Sequence, residues 1–185
     1  MVNAAGMRFN GVMITRNLFL ASCFAIALTA CGPSSGGARG GGAGGLNDAC
    51  RALGDAAAIF GANANVQGYP GLDDMSGTCE FMSADGAHAG ELILYTAQSL
   101  GAKTAEARMG EITAQWDTQT ETPLAAIDGL GDAAQIATDL PGYQTHIAFR
   151  KGGSLVLIAA RSGDEHLTGE ALARRMAQAA ATNVH

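Results

Sequence analysis

Residues 127–136 read Ile127-Asp-Gly-Leu-Gly-Asp-Ala-Ala-Gln-Ile136, and within them Gly129, Gly131 and Ala134 fit the spacing G-x-G-x-x-A. That spacing admits two folds. In a doubly wound α/β protein it leads from a strand into a long helix and cradles the pyrophosphate of a dinucleotide. In an antiparallel protein it is a turn whose glycines supply permissive φ angles before the next strand. The residues that follow decide between them. Pro141 comes within ten residues of Gly131, so no adequate helix fits. The segments beyond it make a hairpin rather than a crossover. Tyr143, Thr145, Ile147 and Phe149 alternate with Gln144, His146 and Arg150, and Gly152-Gly153 then turns the chain into Leu155-Val-Leu-Ile158. The stretch therefore reads as a turn, with Asp128 and Asp132 expected to bond local amides.

Working outward, the segment around 154–161 is apolar on both faces, as a central strand requires. Upstream, Thr78–Ser83 and Glu91–Thr96 flank Asp85-Gly86, a good turn dipeptide, and predict a second hairpin. Leu46, Ala49, Cys50, Leu53, Ala56, Ala57 and Phe60 recur at helical spacing, with Asn47 or Asp48 to cap the start and Gly61 to end the helix. Ala102, Ala105, Met109, Ile112 and Trp116 line one side of a second helix over 101–116. Thr168 caps a third, with Leu167 and Leu172 placed as a hydrophobic staple. Residues 62–77 read as loop with a short edge strand near Val66. The expected fold is α+β: an antiparallel sheet of about five strands in the order α-β-β-α-β-β-β-α, with three helices packed on one face.

The amino-terminal residues supply an address. Arg16 precedes an uncharged run from Leu18 to Ala30, the pattern of a secretory signal peptide. The run is shorter than the roughly 20 apolar residues of a spanning helix. Met1, Met7 and Met13 are alternative starts, and Met13 leaves the most compact signal. Leu28-Thr29-Ala30-Cys31 resembles the lipobox of bacterial lipoproteins. The resemblance implies cleavage before Cys31, a thioether-linked diacylglycerol on its sulfur and an acylated amino terminus. Two or more buried acyl chains hold a protein stably on a bilayer. Gly32 after the cysteine, by the same resemblance, implies forwarding to the outer membrane, with the domain facing the periplasm. The domain organisation that follows is a signal over 1–30, lipidated Cys31 with a Gly-rich tether over 31–45, and a globular domain over 46–185. The tether has no apolar groups to bury and stays a flexible coil.

Composition narrows the partners. The chain carries 11 basic and 17 acidic residues. Without Arg8 and Arg16, nine basic residues stand against the 17 acidic ones, a net charge of −8 with neutral histidines. The basic residues are scattered, which argues against nucleic acid and against charge-driven adhesion to anionic headgroups. With Cys23 removed in the signal and Cys31 lipidated, Cys50 and Cys79 remain. In an oxidising compartment an even pair reads as a structural disulfide, against the alternative of two separate buried thiols.

Several of these elements together resemble a broad group of small secreted lipoproteins, similar to the extracellular sensor domain of some bacterial membrane kinases. The matching positions are Cys50, Cys79, Phe81, the Gly129–Ala133 turn, Phe149–Gly153 and Leu172–Met176. The resemblance implies an α+β binding or sensing module and carries over no catalytic residue.

A search for chemistry yields little. Asp85, His88 and Glu91 have side chains suited to zinc, but they straddle a hairpin turn that tends to splay them, and ordinary turn polarity explains them better. Asp164-Glu165-His166 reads as helix-start polarity, and His146 as a solvated residue on a polar strand face. Ser154 lacks the Gly-x-Ser-x-Gly elbow. No catalytic set, metal site or cofactor is expected. Two binding modes stay open: a small apolar ligand in a helix–sheet cleft lined by Tyr95, Trp116 and Tyr143, or an envelope protein held at the sheet face or an edge strand. An accessory structural subunit of an envelope complex is the alternative to both. The lipid anchor is testable directly. Metabolic labelling of cells with a clickable palmitate is expected to mark this protein, and Cys31→Ser is expected to abolish the mark and release the protein from the membrane fraction.

Overall fold

In the computed structural model, residues 46–141, 145–164 and 166–185 are described. The signal, Cys31, the tether and Tyr143 lie outside them. Seven strands form one sheet in the spatial order β1-β2-β3-β7-β6-β5-β4. They are β1 (Asn65–Pro70), β2 (Gly77–Met82), β3 (His88–Tyr95), β4 (Ala125–Ala126), β5 (Ala133–Ala137), β6 (Thr145–Lys151) and β7 (Ser154–Ser162). Every pairing is antiparallel. The α+β class and the antiparallel sheet agree with the sequence. The strand count is seven rather than about five: β1 is the short edge strand expected near Val66 and left out of that count, and β4, of two residues, is too short to announce itself by alternation.

Five helices accompany the sheet: α1 (Asp48–Leu53), α2 (Ala57–Phe60), α3 (Ala97–Leu100), α4 (Ala105–Asp117) and α5 (Gly169–Asn183). The single helix expected over 46–60 is two. Gly54, at φ +75°, ends α1, and its amide bonds back to the Arg51 carbonyl. Gly61 ends α2 as anticipated. Asn47 is the cap of α1: its side-chain oxygen accepts from the Cys50 amide, and its Nδ2 donates to the Tyr69 and Thr78 carbonyls. One asparagine thus starts the helix and holds it over the ends of β1 and β2.

The helices lie on both faces of the sheet, which corrects the expectation of a single helical layer. Leu155 and Val156 are consecutive and both fully buried. Consecutive strand residues point to opposite faces, so β7 needs cover on each side. On one face Cys79, Phe81, Leu92, Ile147, Phe149, Val156 and Ile158 pack with Leu53, Phe60, Leu172 and Met176 from α1, α2 and α5. On the other, Tyr95, Ala137, Ala148 and Leu155 pack with Leu100, Met109, Ile112 and Trp116 from α3 and α4. Helix amphipathicity shows which side of a helix is buried, but it is silent on which face of the sheet receives it.

Cys50 and Cys79 are joined, tying α1 to β2 beneath the first core. Their 29-residue separation corresponds to about 3.6 kcal/mol of stabilisation in the chain-entropy treatment. Thr168 caps α5 by accepting from the Ala171 amide.

The turn quoted at the outset runs into β5 and not into a helix. Gly129 and Gly131 both have positive φ, +75° and +63°, but for unequal reasons. A Cβ on Gly129 would meet nothing within 4 Å, whereas one on Gly131 would stand 2.3 Å from the Arg150 carbonyl oxygen. Asp132 bonds across to the neighbouring turn, its Oδ2 accepting from the Gly152 amide at 2.8 Å. The two turns are thereby stapled together, while Asp128 makes no comparable bond among the described residues. Gly129→Ala is expected to cost about 1 kcal/mol, the left-handed penalty alone. Gly131→Ala should cost about 3 kcal/mol, because the clash with a fixed carbonyl is added. Denaturant midpoints of the two variants check this, and equal losses would refute the close-approach explanation.

Candidate functional site

Of the three aromatic residues selected for a cleft, Tyr143 lies outside the described residues. Tyr95 (4% exposed) and Trp116 (9%) belong to the second core. They do not line an open cleft: α4 is seated on the sheet and fills the space with their rings. The Arg108 guanidinium lies over the Tyr95 ring at 5.5 Å and pairs with Asp74 and Glu111. Burial pushes the Tyr95 phenol up from its ordinary value, and Arg108 opposes the rise. Arg108 thus straps the loop after β1 to α4.

His146 is not the solvated residue that strand alternation implied. It sits under α4, its ring edge-on to Trp116 with centroids 5.5 Å apart. Burial lowers its pKa to about 4.

The Asp85, His88 and Glu91 constellation is split. Asp85 organises its own turn, accepting from the Ser83 hydroxyl at 2.6 Å and the Ala87 amide at 3.0 Å. Those bonds, the Ser83 hydroxyl foremost, hold its carboxyl below the usual carboxylate range. His88 and Glu91, three apart on β3, point to opposite faces. His88 instead meets residues that sequence spacing could not associate with it. It is the cross-strand partner of Ser162; Nδ1 lies 3.0 Å from the Ser162 hydroxyl and Nε2 lies 3.8 Å from Asp164 Oδ2.

Serine, imidazole and carboxylate in sequence suggest acyl transfer, but the geometry is that of a latch. A working triad needs the carboxylate in hydrogen-bond contact with the imidazole and free amide donors for the oxyanion. Here the carboxylate stands beyond that distance. Among the described residues the neighbouring amides are engaged: Gly163 donates to the Ala87 carbonyl, Asp164 to the Ser162 hydroxyl and His166 to Asp164 Oδ1. The group fastens the β2–β3 turn to the approach to α5.

The hollow at the 129–132 turn, about 400 Å³, is bounded by Lys151, Gln178, Ala181 and Thr182. Lys151 Nζ donates to the Ala181 carbonyl at 2.7 Å. The hollow therefore faces the carboxyl-terminal, negative end of α5, and its cation is already engaged there. Phosphate binding calls for the opposite helix end.

What remains is the second face over β1–β3. Helix α4 contacts β5, β6 and β7, and beyond β7 the face opens. Asn65, Gln67 and Tyr69 of β1, Glu80 and Met82 of β2, and Arg161 of β7 are exposed there, with Ala89, Glu91 and Ile93 half-buried among them. Tyr69 (36% exposed) and Met82 (41%) are large apolar side chains left to solvent. Tyr69 donates its hydroxyl to Glu80 at 3.1 Å. A hollow at the Asn65, Met82 and Arg161 end of this face, about 230 Å³, falls below the roughly 300–1,000 Å³ of a small-molecule pocket. Strand β1 borders it as a sheet edge. No protein-family model matches the chain, and no curated protein or solved structure matches it.

The half-buried imidazole of His146 makes stability pH-dependent. Below the ordinary histidine pKa of 6.5 the unfolded chain takes a proton that folded His146 refuses until about pH 4. Its contribution is complete above 6.5 and is lost as the pH falls through that window, by on the order of 1–2 kcal/mol once solvent screening of a partly exposed ring is allowed for. Thermal melts of His146→Gln are expected to fall less between pH 7 and pH 4 than those of the parent protein.

Proposed function

We propose that this chain is a lipid-anchored lipoprotein of the cell envelope, held in the outer membrane by acylated Cys31, whose globular domain is a non-catalytic binding module for an envelope protein. The observation that supports the protein-binding reading is the uneven cover of the second sheet face. Helix α4 closes one half with a well-packed core, and the other half is a broad, flat, mixed apolar and polar surface beside an unpaired edge strand. Flat surfaces of this kind suit protein contact, where aromatic and Met side chains are enriched. Small ligands favour enclosed apolar pockets, and the aromatic residues first considered for that role, Tyr95 and Trp116, are core. An extended partner segment could also pair with β1.

The reading is tested by a photo-crosslinking amino acid at Gln67 on the open face, compared with one at Glu106 on the exposed side of α4. In intact cells, Gln67 is expected to yield one discrete adduct with an envelope protein that Glu106 does not. Matching profiles from the two positions, or no adduct at Gln67, would remove the proposal. Hydrophobic metabolites should leave the melting temperature unchanged.

A further inference from the structure

On the reading that the open face docks a protein, its charges specify the partner. Glu80 of β2 and Glu91 of β3 are directly opposed across the strand pair. Like charges in that position weaken a sheet, so packing alone gives no reason for them. The Tyr69 hydroxyl holds Glu80 in place at the centre of the face. Burial, and then the Glu80 charge, raise the Glu91 pKa above the usual carboxylate value. Arg161 is the cation lining the same hollow. It stands opposite Ala89, two residues along β7 from Ala159, the partner of Glu91.

The surroundings of the pair are Asn65, Gln67, Met82, Ala89 and Ile93, a flat field of amides and small apolar patches across three strands. A bare cation would find two carboxylates and little else. An extended polypeptide would cover the strands and supply the charge together. Directly opposed strand residues have Cβ atoms about 5 Å apart, a span that one forked guanidinium can bridge. A chain with formal net charge −6 also draws basic partners and is repelled by anionic headgroups.

We propose that the open face docks a basic, extended segment of a partner protein, with one arginine or lysine bridging Glu80 and Glu91 and apolar side chains resting on Tyr69, Met82 and Ile93. The test uses the full lipidated chain in detergent micelles and a fluorescent eight-residue peptide of alternating Arg and Val, with a Glu/Val peptide as its counterpart. The Arg/Val peptide should bind, more weakly as salt rises, and the Glu/Val peptide should not. Glu80→Gln/Glu91→Gln should weaken binding at least tenfold without lowering the melting temperature, and Glu106→Gln on α4 should leave it unchanged. Binding by the double variant within twofold of the parent, an equal loss in Glu106→Gln, or no binding of the Arg/Val peptide would overturn the inference. If the Gln67 crosslink persists in the double variant, the docking reading stands and only the charge assignment falls. If the crosslink is missing from the parent chain, both fall.

Discussion

The burial of β7 on both of its faces governs the rest of the molecule. Leu155 and Val156 are adjacent and both fully removed from water, as are Ile147, Ala148 and Phe149 on β6 beside them. The consecutive buried residues Ile147–Phe149 and Leu155–Val156 require cover above and below. Helices α1, α2 and α5 meet that demand on one side, and α4 with the short α3 meets it on the other. Each fully buried aliphatic or aromatic side chain contributes about 1.5–3 kcal/mol, so the sandwich around β6 and β7 is the thermodynamic centre. The outer strands β1 and β4 are appended to it.

The cover on the first face is made of weak pieces held by specific bonds. Helices of six and four residues are far below the length at which a helix is stable alone. The disulfide to β2 holds α1 covalently, and Asn47 bridges to the carbonyls of β1 and β2. Asn183, at the end of α5, donates to the Ala52 carbonyl and joins the last helix to the first. Close approach is purchased by glycine: a Cβ on Gly90 of β3 would stand 2.6 Å from Met176 Sδ and 2.9 Å from the Phe60 ring. Removing the disulfide therefore loosens a whole layer.

What the sequence made legible follows from which signals are local. The doubly apolar run at 154–161, the Asp85-Gly86 turn, the Thr168 cap and the turn reading of 127–136 each depend on neighbours within a few residues, and each is found in the structure. The break at Gly54 was obscured because helical periodicity continues through Phe60 on the far side of the turn. The side of the sheet taken by α4 was not legible, and two misreadings share that cause. His146 alternates with apolar residues and so reads as solvent-facing, yet the face it occupies is the one α4 covers. Tyr95 and Trp116 read equally well as cleft or core until that helix is placed. The meeting of His88 with Ser162 depends on the register of two strands distant in sequence, which no local pattern contains, whereas the opposition of Glu80 and Glu91 follows from the Asp85-Gly86 turn that centres their hairpin. Tyr143 and Cys31 lie outside the described residues, so their assignments still rest on sequence.

The open half of the second face is a consequence of connectivity rather than of missing apolar residues. Strand β3 ends at Tyr95, and Thr96 immediately caps α3 in a reciprocal capping box with Ser99. Gly101, at φ +61°, then redirects the chain, and Thr104 caps α4. This short path leads from β3 to the β5–β7 side of the sheet. Arg108 fixes the arrangement by stacking on Tyr95 while pairing with Asp74 in the loop after β1. With α4 committed there, nothing in the connection can reach β1 and β2. Strands so placed are either apolar and prone to edge pairing or polar enough to discourage it. The residues present are of the second kind. Asn65 and Gln67 face solvent, Pro70 closes the β1 edge, and two carboxylates occupy the middle of the face. Polar side chains and edge proline blunt unwanted strand pairing. The opposed carboxylates go further than blunting requires, since one charge would suffice and the second weakens the sheet. Avoidance of aggregation accounts for the amides and the proline but not for the second acid, which is the feature the docking proposal addresses.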